Sequence, residues 1–282
     1  MAYIAAKSLD EAFRVLAGAE VAVIAGGTDW FPQAGDCLTT KSLLDVNDLP
    51  GFRGISQTDT GWRIGAATRW CDISAADLPL CFDGLKAAAR EVGSVQIQNT
   101  GTVAGNLCNA SPAADGVPPL LTLNAQVELV SQNGRRILPL ANFITGVRRT
   151  ALMPGELVSA ILIPDPGPDV QSGFLKLGSR KYLVISIAMV AVLIRSQAGR
   201  IADARVAAGA CSPVAIRLPL LEQALIGHSL TAPLPPIDPV WLAGLSPIAD
   251  LRGSADYRAE VVARMVERLL QQVIKSGERA DV

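Results

Sequence analysis

Hydrophobic and polar positions divide the chain into short elements of two periodicities. Ser8-Leu-Asp-Glu11, followed by Ala12, Phe13 and Leu16 on one face and then Gly18, predicts an amphipathic helix. Ser8 is placed to cap it, with Glu11 reaching back to the cap. Val21-Ala-Val-Ile24 is a β-branched run of strand length that leads directly into Ala25-Gly-Gly-Thr-Asp-Trp30. Leu43–Val46 and Trp62–Ala66 read as short strands separated by the turn-rich stretch 51–61, and Leu85 to Arg90 has a helical pattern. A Gly-rich polar loop from Thr100 runs into a helix starting near Pro118. Leu121 to Val130 then alternates as a strand, Gln132-Asn-Gly134 signals a hairpin turn, and Arg136–Leu140 returns antiparallel. Leu157 to Ile163 is a further strand.

Pro164-Asp-Pro-Gly-Pro168 cannot continue regular structure, so a domain boundary is expected there, giving residues 1–168 and 169–282. Beyond it, Gly173–Leu177, Val184–Ile194 and Arg205–Gly209 imply a small three-stranded sheet. Pro219 opens a helix that Gly227 ends, and Thr231–Pro239 is a Pro-rich linker. Val262, Met265, Leu269 and Val273 mark the apolar stripe of a last helix. This alternation of strands and helices is that of an α+β fold.

Composition narrows the function classes. Half of the 282 residues are hydrophobic, 18% are charged, and the net charge is −1. Such a chain has no field to draw it to nucleic acid or to an anionic membrane surface. The longest apolar run, Tyr182–Ile194, is interrupted by Ser186 and falls short of the ~20 residues of a spanning helix. Met1-Ala-Tyr-Ile-Ala-Ala-Lys lacks the pattern of a secretory signal. Five cysteines, at 37, 71, 81, 108 and 211, include no Cys-x-x-Cys pair, so neither a disulfide framework nor a metal site is expected, and reduced thiols point to a cytoplasmic protein. His228, the single histidine, precedes a Pro-rich stretch and reads as a surface residue. No catalytic acid–base cluster is visible.

Two Gly-rich segments carry the candidate chemistry. Gly26 and Gly27, directly after a strand, suit backbone contact with a phosphate, and Thr28 can add a hydroxyl. Gly101 and Gly105 sit among Thr102, Asn106, Asn109 and Ser111, which bring short hydrogen-bonding side chains to one loop whose N–H groups can form an anion-binding concavity. Taken alone, the first is a tight turn and the second a loop capping a helix; together they read as a ligand cradle. Neither G-x-G-x-x-G nor the P-loop pattern is present, so a nucleotide must be held differently.

A strand, Ala25-Gly-Gly-Thr-Asp29, and then Thr102-Val-Ala-Gly-Asn-Leu107 followed by Ala110-Ser-Pro-Ala-Ala-Asp115, at this separation, resemble the flavoprotein (medium) subunits of molybdenum hydroxylases such as xanthine dehydrogenase and carbon monoxide dehydrogenase. Phe174-Leu-Lys-Leu-Gly-Ser-Arg-Lys181 resembles the start of that family's C-terminal flavoprotein domain, so the likeness covers nearly the whole chain. It implies a two-part FAD-binding domain of the vanillyl-alcohol-oxidase type, splitting near residue 55, and then a smaller α+β domain. The implied cofactor is FAD, with the diphosphate held between the loops.

The first contact segment would be Val23, Ile24, Ala25, Gly26, Gly27, Thr28, Asp29 and Trp30; the second would be Thr102, Val103, Ala104, Gly105 and Asn106, with Ser111 beyond it. Asp115 matches an acidic position that suits a ribose or ribityl hydroxyl, since a carboxylate repels diphosphate; a loop or helix cap is its structural alternative. Val158 and Lys176 match positions that pack on and hydrogen-bond the cofactor, with the lysine near the flavin carbonyl edge. A solvated edge-strand lysine is the competing reading, and Val92 reads as core or as a cofactor contact.

The chain departs from the family at Ala104, where glycine is common, so that position must keep a negative φ. Gln98 and Thr100 stand where arginines are frequent, which bears on contacts to a neighbouring subunit. The molybdenum cofactor and iron–sulfur clusters are implied on a molybdopterin-binding large subunit and a ferredoxin-like small subunit, together forming a dimer of heterotrimers. Electrons would pass through FAD to NAD, a quinone or oxygen. The alternatives are a self-contained FAD oxidoreductase of the vanillyl-alcohol-oxidase type, or a nucleotide-binding module without redox chemistry.

Overall fold

The computed structural model describes residues 2–18, 20–35, 41–181 and 183–278; Cys37 and Tyr182 lie outside them. A first sheet is parallel, ordered β1 (Tyr3–Ala5), β3 (Ser42–Asp45) and β2 (Val21–Ile24), with α1 (Leu9–Leu16) between β1 and β2 and α2 (Trp30–Ala34) after β2. The Ser8 hydroxyl caps α1 by accepting from Glu11 N–H at 3.2 Å. The Glu11 carboxylate reaches one residue past the cap, accepting from Lys7 N–H at 2.8 Å. Val21–Ile24 is a strand as its β-branched run predicts.

The second sheet is antiparallel, in the order β4 (Ile55–Thr58), β5 (Gly61–Gly65), β10 (Leu157–Pro164), β6 (Gln126–Ser131), β7 (Gly134–Pro139). The Gln132-Asn133 turn joins β6 to β7, with Ser131 opposite Gly134. Between β5 and β6 the chain forms α3 (Trp70–Ala75), α4 (Asp83–Glu91), α5 (Val95–Gln98), α6 (Val103–Asn109) and α7 (Val117–Thr122). Between β7 and β10 lie α8 (Leu140–Phe143) and the hairpin β8 (Ile144–Gly146) and β9 (Arg149–Thr150).

Two expectations for this region change. The stretch from Thr100 to Asn109 is mostly helix, because Thr102 caps α6, accepting from Gly105 N–H at 3.1 Å. Ala104 inside it keeps the negative φ expected of a helical residue. The strand expected from Leu121 begins only at Gln126, since Pro118 and Pro119 open α7, whose six residues are all buried. A helix apolar on every side has no periodicity to separate it from a strand.

The third sheet, also antiparallel, is β11 (Val170–Leu177), β12 (Ala188–Gln197), β13 (Arg200–Gly209) and β14 (Ile216–Arg217). It has four strands where three were expected; β14 is two residues long and leaves no sequence pattern. β12 starts at Ala188, not Val184, and Leu183 and Ile185 are exposed. α9 (Pro219–Leu225) and α10 (Ala255–Glu278) cover this sheet, and Val262, Leu269 and Val273 of the predicted stripe are buried against Val190, Val192 and Ile201.

The third sheet packs on the rest of the molecule through α4 and α7. Gly84 N–H donates to the Ser172 hydroxyl at 2.9 Å, and Arg205 and Arg217 donate to the α7 carbonyls of Thr122 and Leu121. Cationic donors there satisfy orphan carbonyls at a helix C-terminus.

Candidate functional site

The segments 25–30 and 101–109 meet. A β-carbon on Gly26 would fall 2.7 Å from the Thr100 carbonyl carbon and 2.8 Å from the Gly101 α-carbon, so only a hydrogen fits between the two stretches of backbone. Gly27 has φ +66°, and a side chain there would run into the Phe31 ring at 2.6 Å. Asn47 holds the base of the first loop, donating from Nδ2 to the Ala25 carbonyl at 2.9 Å. The second segment is anchored from below. Trp70 N–H donates to Gly101 O at 3.2 Å, and Val103 and Ala104 N–H donate to Thr68 O and Ala66 O at 3.0 and 3.2 Å.

A cleft of about 410 Å³ opens where the segments meet. Its two sides offer different chemistry. In the second segment the N–H groups of Val103, Ala104 and Gly105 are all taken within the chain, so the concavity of free donors expected there is absent. In the first, no acceptor among the described residues receives the N–H of Gly26, Gly27, Thr28 or Asp29. Successive unpaired N–H groups around a positive-φ glycine form an anion-binding nest. On the second side Asn106 lines the cleft, and its Oδ1 is fully buried with no partner among the described residues. An unsatisfied buried acceptor costs about 1–3 kcal/mol, so a ligand hydroxyl or amide that reached it would stabilise the bound form.

The predicted residues fall into two groups. Val23 through Trp30, Thr102, Gly105 and Asn106 line the cleft. Val103 and Ala104 face the core beneath α6. Ser111 closes a local turn, accepting from Ala113 N–H at 3.2 Å. Val158 is buried in β10 beside a bulge. Asp115 and Lys176 find each other: Nζ lies 2.7 Å from Asp115 Oδ2 and donates to the Glu91 carbonyl at 3.0 Å, while the Ser186 hydroxyl donates to Oδ1 at 2.6 Å. Lys176 is therefore no solvated edge residue, although it stands on an edge strand; its side chain is 6% exposed because α4 covers it. Burial pushes the Asp115 carboxyl up, with Lys176 and Ser186 working against that rise. The pair stands behind the lining, since Glu91 precedes the cleft residue Val92, and a β-carbon on Gly116 would sit 3.1 Å from both Asn106 Oδ1 and Trp70 Cζ2.

Trp70, Ile97, Gln33 and Lys41 also line the cleft and were not foreseen. Val92 is both core and cleft wall. Among the described residues no group of His, Cys, Asp or Glu is arranged to hold a metal ion. The arrangement suits binding of a nucleotide cofactor: donors for a diphosphate, an acceptor for a hydroxyl, and an apolar wall of Trp70, Val92 and Ile97.

Fold and cleft together define a flavin-nucleotide-binding protein. Residues 1–166 match the FAD binding domain in molybdopterin dehydrogenase and residues 174–273 the CO dehydrogenase flavoprotein C-terminal domain, and the chain belongs to that family. It is 31% identical to the 6-hydroxypseudooxynicotine dehydrogenase complex subunit alpha of Paenarthrobacter nicotinovorans, over 96% of this chain and 94% of the relative. It is 29% identical to the xanthine dehydrogenase FAD-binding subunit of Escherichia coli O157:H7, covering 98% and 96%. A carbon monoxide dehydrogenase structure from Hydrogenophaga pseudoflava superposes with a TM-score of 0.88 at 28% identity, covering 98% of each chain. FAD is the cofactor, and the chain is the FAD-containing subunit of a molybdenum-hydroxylase-type oxidoreductase.

Proposed function

We propose that the chain works as the electron-transfer subunit of a molybdenum-containing hydroxylase, taking electrons from iron–sulfur clusters on a partner chain and delivering them to an acceptor such as NAD, a quinone or oxygen. The observation that carries this reading is the pairing, in one cleft, of the unpaired N–H row of Gly26–Asp29 with the orphaned Asn106 Oδ1. Those donors hold the diphosphate, the Thr28 hydroxyl adds to them, and Gly105 and Asn106 close the opposite wall. Asn106 Oδ1 accepts a ribityl or ribose hydroxyl, which suits it better than Asp115, whose two oxygens already accept from Ser186 and Lys176. When bound, FAD supplies reversible two-electron redox chemistry.

Trp70, Val92 and Ile97 exclude water from the inner wall. Ser111, Asp115, Val158 and Lys176 act from behind the lining, with Lys176 placing positive charge on the flavin side. Residues 1–168, splitting near 55, form the FAD-binding domain and 169–282 the flavoprotein C-terminal domain. A molybdopterin-binding large subunit and a ferredoxin-like small subunit complete a cytoplasmic dimer of heterotrimers. The relatives' names support this, since they include complex subunits and a carbon monoxide dehydrogenase medium chain. No helix among the described residues is long and apolar enough to cross a membrane. The test is purification from the native host with its bound chains: the reading expects co-purifying molybdenum- and iron–sulfur-containing subunits and flavin bleached by the complex's substrate. A flavin that stays oxidised while the molybdenum site turns over would overturn it.

A further inference from the structure

Besides the donor loop, two groups of residues line the cleft. Trp70, Val92 and Ile97 form one, and Val92 follows Glu91, whose carbonyl accepts from Lys176. Val23 of β2, 41% exposed, belongs to the other. Trp30, Gln33 and Ala34 join it from one face of α2, spaced i, i+3, i+4. Lys41, immediately before β3, completes it.

Lys41 and Asp29 are the two charged residues of the lining, and Lys41 has no ion pair or hydrogen bond among the described residues. Its position in the parallel ladder fixes what it can reach. Ser42 pairs with Val21, so Lys41 stands level with residue 20, four residues and ~13 Å along the strand from Ile24. The Gly26–Asp29 donors lie beyond Ile24, so the ammonium is out of range of a diphosphate held there. It is in range of a nucleoside extending from that diphosphate over Val23. Adenine offers ring nitrogens as acceptors and an apolar face; Lys41 Nζ can donate to the nitrogens or the ribose, and Val23 can pack on the face.

We propose that Lys41 is a specificity residue for the adenosine half of FAD, separating FAD from FMN where Val23 and Lys41 line the cleft. This rests on the FAD reading above. A charge-assisted hydrogen bond in a half-enclosed site corresponds to about a tenfold change in affinity. The test titrates the full-length chain, stripped of flavin, with FAD, ADP and FMN, in wild type, Lys41→Met and Lys41→Arg, following tryptophan emission, since Trp30 and Trp70 line the cleft. Lys41→Met is expected to weaken FAD and ADP about tenfold and leave FMN unchanged, and Lys41→Arg to restore both. Wild-type affinity for FAD and ADP falls with added salt more steeply than that of Lys41→Met. Unchanged FAD and ADP binding in Lys41→Met, or an equal loss for FMN, overturns the assignment while leaving FAD in the cleft. A wild-type chain that takes up neither FAD nor ADP brings down the FAD reading and this inference with it.

Discussion

The FAD cleft and the core under α10 use the same residue types to opposite ends. Gly173 in β11 has a neighbourhood that can yield, since an added β-carbon would meet Leu269 Cδ1 at 2.8 Å and Val273 Cγ2 at 2.9 Å, both tips of flexible side chains. At Gly26 the obstacle is the backbone of Thr100 and Gly101, which cannot move without separating the two loops. Polar groups divide the same way. Glu222 behind the third sheet is matched by Arg217 and by Val206 N–H, whereas among the described residues the cleft leaves four backbone donors and one buried acceptor unmatched. Among the described residues the core under α10 leaves one buried side-chain atom, Arg258 Nε, without a partner, whereas the cleft leaves a run of adjacent donors open to a ligand.

The largest effect expected is that of Gly26→Val, which should abolish FAD retention, against Gly173→Ala, which should lose about 1–3 kcal/mol of stability and keep its flavin. Flavin released per folded chain, with urea unfolding alongside, checks both. Equal FAD content in the two variants would erase the contrast. Next comes Lys176→Met, which strands Asp115 without its cation in a buried site and should cost about 3–5 kcal/mol by urea unfolding. The same variant should lower the flavin midpoint potential, because a nearby cation favours the anionic reduced form. A midpoint unchanged or raised in the same buffer would make Lys176 purely structural.

Leu270→Ala, in the core beneath the third sheet, should lose about 2–5 kcal/mol while the folded fraction binds FAD as tightly as wild type; Leu270 is fully buried in a hydrophobic cluster separate from the one that holds the cleft-wall residues Trp70 and Val92. Coupled loss of affinity would show that the two regions are not separable. The smallest effect is expected from Thr102→Ala, which removes the α6 cap at about 1 kcal/mol and frees the Gly105 N–H. Thermal unfolding measures it, and a stability unchanged from wild type would mean the cap is dispensable.

What the sequence disclosed follows from how local each signal is. The β-branched run before Gly26, the Asn133-Gly134 turn and the 262–273 stripe each depend on neighbours within a turn or two, and each forms as expected. The two loops were legible as a cradle because glycine and short polar residues mark backbone that must stay accessible. Which loop supplies the donors was not legible: Thr102 is itself a cap, and the partners of Val103 and Ala104 N–H, at Thr68 and Ala66, come from the turn after β5. Trp70 reaches the cleft through that same turn. Lys176 and Asp115 lie 61 residues apart, and nothing near either one announces a buried pair. β14 was missed for being too short to show a period, and the end of α7, whose start near Pro118 was expected, was taken for strand because the helix is too evenly buried to show one.

The central claim is that the unpaired N–H row of the first loop holds the diphosphate, and a crystal structure of the full chain with FAD tests it most directly. The account predicts diphosphate oxygens within hydrogen-bonding distance of the N–H groups of Gly26 to Asp29, and a cofactor hydroxyl on Asn106 Oδ1. FAD bound elsewhere, with those four N–H groups still unpaired, would contradict it.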